Sequence, residues 1–215
     1  WDGDFDRCFF FDEKGNFIEG YYLVGLFAKS FLDKNRNEKV IYDPRLTWNT
    51  IDVVERHNGD AIQCQSGHSF IKKSMRDNDA VYGGEMSAHH YFRDFYYCDS
   101  GMIPWLLILE MISKEKMPLS QMIQKYRERY PVSGEINLKV NNTKIIIDLI
   151  KEYYLDDALG VDETDGIGME FEKWRFNLRA SNTEPLIRLN VESDGNESLM
   201  NDKTRELLDR INSFD

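Results

Sequence analysis

Apolar positions in the first half of the chain alternate between short runs and helical spacing. RCFFFD reads as a short strand and EKGN as the turn after it. Leu23, Leu26, Phe27 and Phe31 then recur along one helix face, up to the polar stretch DKNRNEK. Beyond it KVIYD predicts a strand, TIDVVERHNG a helix ending at Gly59, AIQCQ a strand, SFIKKSMRD a helix and AVYGGE a strand. Strands that alternate with helices in this way predict parallel βαβ units, whose ligands gather at the loops after the strands. DPRLTWN, SGHS and GEMSAHHYF are therefore expected along one rim. Two helices follow: GMIPWLLILEMIS, with Pro104 tolerated in its first turn, and a stretch from Leu119 to Arg129.

Near Pro131 the pattern changes. TKIIIDLIKEYY predicts a helix, MEFEKW, RFNLR and LIRLNVE predict strands, and the last helix carries Leu207, Leu208 and Ile211 on one side. In LIRLNVE, Ile187, Leu189 and Val191 alternate with Arg188, Asn190 and Glu192, so one buried and one polar face are expected. The fold class is α/β: a βαβ three-layer domain followed by a smaller α+β carboxyl-terminal domain.

With 215 residues, 41% of them hydrophobic, the chain can build one large or two modest packed domains. No apolar run approaches the roughly 20 residues of a membrane helix and no leader is recognisable, so a cytoplasmic protein with no membrane partner is expected. The formal charge of −11 argues against nucleic acid as a partner and means that any anionic ligand needs a locally basic pocket. Cys8, Cys64 and Cys98 are odd in number and lack CxxC spacing, which points to buried free thiols. A chain that opens at Trp1, with a chemically loaded motif at its second residue, is expected to be a fragment of something longer.

Four stretches carry candidate chemistry. In WDGDFDR, Asp2, Asp4 and Asp6 stand at alternate positions, where a turn can aim hard oxygens at one divalent ion or simply leave them on a solvated surface. An EF-hand is excluded, because Arg7 stands where that loop needs glycine and an apolar strand follows at once. In SGHS, His68 follows a strand; it is either a surface side chain or a catalyst on the rim. GGEMSAHHYF brings together Glu85, Ser87, His89 and His90, groups that can read sugar hydroxyls and carry protons near neutral pH, or else form a polar loop capped by aromatics. RASNTEP offers Arg179, Ser181, Asn182 and Thr183, a set that can wrap a phosphate dianion, although Ser, Asn and Thr also simply form turns. The flanking Arg179 and Arg188 favour the phosphate, since a plain turn in an acidic protein does not require them.

Taken in order, DGDFDR, SGHSFIKK, GEMSAHHYF and RASNTEPLIRLNVES resemble the signature loops of the α-D-phosphohexomutases, and the resemblance runs over nearly the whole chain. It implies four domains in the intact protein, of which residues 1–18 would be the tail of the second, 19–130 the third and 131–215 the fourth. It also implies an isomerase that exchanges phosphate between C6 and C1 of mannose, with glucose or both sugars as the alternative substrate, through a phosphoserine and a hexose 1,6-bisphosphate, feeding GDP-mannose and polysaccharide biosynthesis. The phosphoserine belongs to the missing amino-terminal domains of the same protein, so the chain alone is expected to be inactive. By the same resemblance Mg²⁺ is the cofactor, held by Asp2, Asp4 and Asp6. Arg7, His68 and His89 would be catalytic, and Arg45, Glu85, Ser87, Arg179, Ser181, Asn182 and Thr183 would bind the phosphosugar. A non-catalytic phosphosugar-binding module is the alternative.

Two departures from the family pattern stand out. Asp43-Pro44-Arg45 places arginine where many members have lysine, which keeps the charge but makes a poor proton carrier. Ala88 stands where glycine is frequent, restricting the backbone there.

Overall fold

Asp12 starts the folding pattern by capping its own turn. Its Oδ1 accepts from the N–H groups of Lys14 (2.9 Å) and Asn16 (2.8 Å), and Gly15 takes the positive φ the reversal needs. That turn joins β1 (Phe10–Phe11) to β2 (Phe17–Ile18) as a small antiparallel pair. The computed structural model describes residues 1–181 and 184–215. It is mixed α/β and divides into two compact units, residues 1–43 with 47–126 and residues 44–46 with 127–215.

In the first unit α1 (Gly20–Leu32) is apolar nearly all round and is buried accordingly. β3 (Lys39–Tyr42), α2 (Trp48–Arg56), β4 (Asp60–Gln63), α3 (His68–Asn78) and β5 (Tyr82–Gly84) follow as the apolar pattern predicts, and β3 pairs in parallel with both β4 and β5. The carboxyl ends of three parallel strands therefore lie at one edge of the sheet. Two links tie their loops together there: Met86 N–H donates to Asp43 Oδ2 (2.7 Å), and Gly67 N–H donates to Glu85 Oε1 (2.9 Å). β6 (His90–Phe92) and β7 (Cys98–Asp99) extend the sheet antiparallel, and α4 (Met102–Glu115) and α5 (Leu119–Arg129) complete the run. The sheet order is β4-β3-β5-β6-β7.

The second unit is an antiparallel sheet of order β8-β12-β11-β10-β9. Its strands are β8 (Ile136–Lys139), β9 (Gly160–Asp162), β10 (Ile167–Glu170), β11 (Trp174–Ala180) and β12 (Leu186–Ser193), and its helices are α6 (Thr143–Tyr154) and α7 (Glu197–Phe214). Asn142 and Asn196 cap the two helices through their side chains. Ile146, Ile150, Phe176, Leu178, Leu189, Leu207 and Ile211 join one core between helices and sheet.

The polar face expected of β12 is a point of correction. Asn190 and Glu192 are fully buried. A carboxylate can be buried there because Arg175 Nη1 donates to Glu192 Oε1 at 2.8 Å, and the same guanidinium donates to the backbone carbonyls of Pro44 (3.1 Å) and Arg45 (3.2 Å). Cys8 is buried as expected, but Cys64 and Cys98 are only half-buried, and all three are free thiols. Burial pushes the Cys8 thiol up to about 11, so it stays protonated at neutral pH.

Candidate functional site

The opening turn does converge. Carboxylate oxygens of Asp2, Asp4 and Asp6 lie within 4.8 Å of one another. Phe5, between two of them, has φ 63°, a left-handed conformation unusual for an aromatic residue, and this kink lets alternate side chains share one side. Gly101 braces the turn from the β7–α4 junction. Its N–H donates to the Phe5 carbonyl (3.1 Å), and a Cβ there would fall 2.6 Å from that oxygen and 2.7 Å from the Arg7 carbonyl. Trp1 Nε1–H donates to the Gly101 carbonyl (2.9 Å) and closes the loop.

Arg7 spans two of the acids, with Nε 2.5 Å from Asp2 Oδ2 and 3.9 Å from Asp6 Oδ1. Burial raises the Asp2 carboxyl, but hydrogen bonds from Arg7 outweigh it and leave Asp2 below the usual range. Asp6 goes the other way. Burial raises it, the nearby His89 opposes this, and Asp4, Asp2 and Asp99 raise it further. Asp6 Oδ1 is also buried without a hydrogen-bond partner among the described residues. Three hard oxygen donors, one of them unsatisfied and crowded by like charge, fit a divalent cation such as Mg²⁺.

Asp6 joins this turn to the GEMSAHHYF loop. His89 Nε2 lies 3.5 Å from Asp6 Oδ2, and Arg7 and His89 are partners in an isolated antiparallel bridge. On the other side of the ring, His89 Nδ1 lies 3.2 Å from Ser87 Oγ and 3.5 Å from Glu85 Oε2. Glu85 is buried and fixed by Gly67 N–H and by the Tyr91 hydroxyl, which donates to Oε2 at 2.7 Å. The imidazole therefore sits between a carboxylate of the acidic turn and the hydroxyl and carboxylate of its own loop, a position from which it can hold or move a proton. Ala88 reaches this arrangement at φ 72°, so the restriction expected from alanine is present as left-handed backbone.

His68 is not brought into this group. It is exposed at the first residue of α3 and makes none of the contacts that link Asp6, His89, Ser87 and Glu85; its neighbour Gly67 makes the connection instead. His90, adjacent to His89, is fully buried with Nδ1 2.7 Å from the Tyr82 hydroxyl. Sequence reasoning missed Asp99, whose carboxylate falls with the Asp6 carboxylate and a His89 ring nitrogen in a second compact group and pairs with Lys72 Nζ at 2.7 Å. The only sequence signal for it was the basic pair after SGHSFI.

In the second unit Arg179 and Arg188 are opposite one another across β11 and β12. Arg179 is largely buried, and Ser181 continues the strand pairing through N–H donation to the Leu186 carbonyl (2.8 Å). Asn182 and Thr183 lie outside the described residues. The guanidinium of buried Arg45 belongs to this unit and lies 3.7 Å from Glu135 Oε2. Glu135 and Arg175 were not anticipated, the first because SGE reads as a turn, the second because RFNLR reads as an apolar strand.

The first unit thus sets the acidic turn beside Glu85, Ser87 and His89, and the second unit gathers Arg45, Arg179 and Arg188 about Glu135. The chain belongs to the phosphoglucomutase/phosphomannomutase family: residues 19–130 match its alpha/beta/alpha domain III and residues 135–209 match its C-terminal domain. It is 58% identical over 216 aligned residues to the phosphomannomutase of Vibrio cholerae, covering 100% of this chain and 47% of that protein. It is 56% identical to a protein of Xanthomonas campestris named for phosphohexose mutases, covering 96% of this chain and 46% of that one. A crystal structure of a family protein from Burkholderia thailandensis superposes with a TM-score of 0.82 at 27% identity, over 99% of this chain and 46% of the other. The chain thus spans about half the length of the curated relatives it matches.

Proposed function

We propose that this chain is the carboxyl-terminal part of a phosphomannomutase, which exchanges phosphate between C6 and C1 of mannose through a phosphoserine and a hexose 1,6-bisphosphate. The observation that carries this reading is the meeting of Asp6 with His89 at 3.5 Å, which puts the acidic turn beside Glu85 and Ser87. Phosphoryl transfer to a sugar hydroxyl needs a cation for the transferred group, a proton carrier and groups that orient the hydroxyl, all within reach of one another. On this reading residues 1–18 are the tail of a second domain, 19–130 a third and 131–215 a fourth.

Each side chain has a stated task. Asp2, Asp4 and Asp6 hold Mg²⁺, which when bound neutralises charge developing on the transferred phosphoryl group. Arg7 adds a second cation beside the same group. Glu85 and Ser87 bind sugar hydroxyls, and His89 accepts or returns the hydroxyl proton. His68, at the start of α3, contributes by orienting the substrate. Arg45, Arg179 and Ser181, with Asn182 and Thr183, hold the phosphate that is not transferred. A cytoplasmic location accords with phosphosugar substrates. The name of the Xanthomonas relative supports a second reading, a dual-specificity mutase that also accepts glucose phosphates.

Calorimetric titration tests the binding half of this function. Mannose 1-phosphate should bind the chain while unphosphorylated mannose does not, and Arg179→Ala should abolish the difference. Equal binding of both sugars would refute it.

A further inference from the structure

Three guanidinium groups of the second unit share one carboxylate. Glu135 Oε2 lies 3.4 Å from Arg179 Nη2 and 3.7 Å from Arg45 Nη1, and Glu135 Oε1 lies 3.3 Å from Arg188 Nη1. All are longer than the 2.8 Å of the Arg175–Glu192 pair in the same unit. Well-paired carboxylates take short, often bidentate contacts from arginine, so Glu135 is held loosely by all three and tightly by none.

The backbone carrying each partner is set independently of Glu135, which the side chains then meet. Arg179 and Arg188 are register partners on paired strands, an arrangement in which like charges repel and a shared anion is required. The peptide carrying Arg45 is gripped by Arg175, which donates to the Pro44 and Arg45 carbonyls. Glu135 directly precedes β8, whose Ile136 pairs with Leu189 of β12. Arg179 Nε and Arg188 Nε are buried without hydrogen-bond partners among the described residues, so donor capacity remains unspent. Asp165, 3.9 Å from Arg179 Nη1, supplies one further negative charge. Arg179 and Arg188 share Glu135, and a phosphate dianion in its place brings one more negative charge to the same guanidinium groups.

We propose that Glu135 is an internal stand-in for phosphate: it keeps Arg45, Arg179 and Arg188 gathered while the site is unliganded, and a phosphate group enters by displacing it. This rests on the reading of the RASNTEP loop as phosphate-holding. Glu135 is then a positioning residue that sets phosphate affinity by competition, and it never touches the reacting atoms.

The test is a calorimetric titration of the chain with inorganic phosphate, comparing wild type with Glu135→Gln, which keeps the shape and removes the charge. Displacement requires the variant to bind roughly tenfold more tightly. Unchanged or weaker binding, or no binding by either protein, overturns the proposal. Should Glu135→Gln fail to fold, the wild type decides: the Glu135 ¹³Cδ resonance must move on saturation with phosphate and stay fixed in chloride of equal ionic strength, and an unmoved resonance overturns it. Repeating the titrations with mannose 1-phosphate separates the two ideas. A wild type that shows no preference for the sugar phosphate, with Glu135→Gln still tightening phosphate, sinks the proposed function and leaves Glu135 standing. A clear preference with no tightening does the reverse.

Discussion

Arg7 places its Nε 2.5 Å from Asp2 Oδ2, so one carboxylate of the acidic turn is already paired with a cation of its own chain. A divalent ion at Asp2, Asp4 and Asp6 must loosen that pair before it can use both Asp2 oxygens. Arg7→Ala is therefore expected to tighten Mg²⁺ binding to the chain by roughly threefold to tenfold, because an internal competitor is gone. Calorimetry with MgCl₂ checks this, and weaker binding in the variant would show that Arg7 instead props the turn in its binding shape.

Gly101 packs tightly under the backbone of the acidic turn. A methyl group there meets the carbonyls of Phe5 and Arg7, neither of which can rotate away as a side chain would. Gly101→Ala should cost about 1–3 kcal/mol of stability in urea denaturation and weaken Mg²⁺ binding at the same time. A stability loss without any change in metal affinity would separate the brace from the metal turn.

The parallel strands were legible because KVIYD, AIQCQ and AVYGGE each carry apolar positions between clear punctuation. The strands at the edges were not. Ile136–Lys139 alternates half-buried and exposed positions over only four residues, and Gly160–Asp162 holds a single apolar side chain, so neither rises above a loop pattern. His90–Phe92 was hidden by its own chemistry, since two histidines in a row read as a polar loop, whereas His90 is fully buried beside Tyr82. At the site, alternate aspartates and the Glu-Ser-His set were visible as motifs. The partners that fix them, Gly67, Tyr91 and Gly101, act through backbone groups or across tertiary distances and leave no local pattern.

His90 supplies a pH dependence of stability. Burial, with a smaller contribution from His89, pushes its imidazole down to about 3, while an unfolded histidine titrates near 6.5. Between those values the unfolded chain binds a proton that the folded chain refuses, so stability falls as pH falls through 6.5. The loss should reach about 2 kcal/mol between pH 6.5 and pH 5 in urea titrations, and His90→Gln should flatten that part of the curve. An unchanged slope in the variant would assign the effect elsewhere.

Arg175 and Glu192 form a fully buried ion pair in the second unit, and the arginine also holds the peptide of Pro44 and Arg45. Arg175→Met should destabilise the chain by about 3–5 kcal/mol, since Glu192 loses its charged partner in the core. The double variant Arg175→Met/Glu192→Leu should recover much of this by thermal denaturation while leaving phosphate binding impaired, because Arg45 is no longer held. Phosphate affinity restored together with stability would mean that Arg175 does not position Arg45.

Phosphorus NMR of mannose 1-phosphate turnover tests the central claim most directly. With Mg²⁺ and catalytic glucose 1,6-bisphosphate, the full-length protein carrying this chain should convert mannose 1-phosphate to mannose 6-phosphate, and residues 1–215 alone should leave it unchanged. Conversion by residues 1–215 alone, or none by the full-length protein, would contradict the assignment of this chain as the carboxyl-terminal part of a phosphomannomutase.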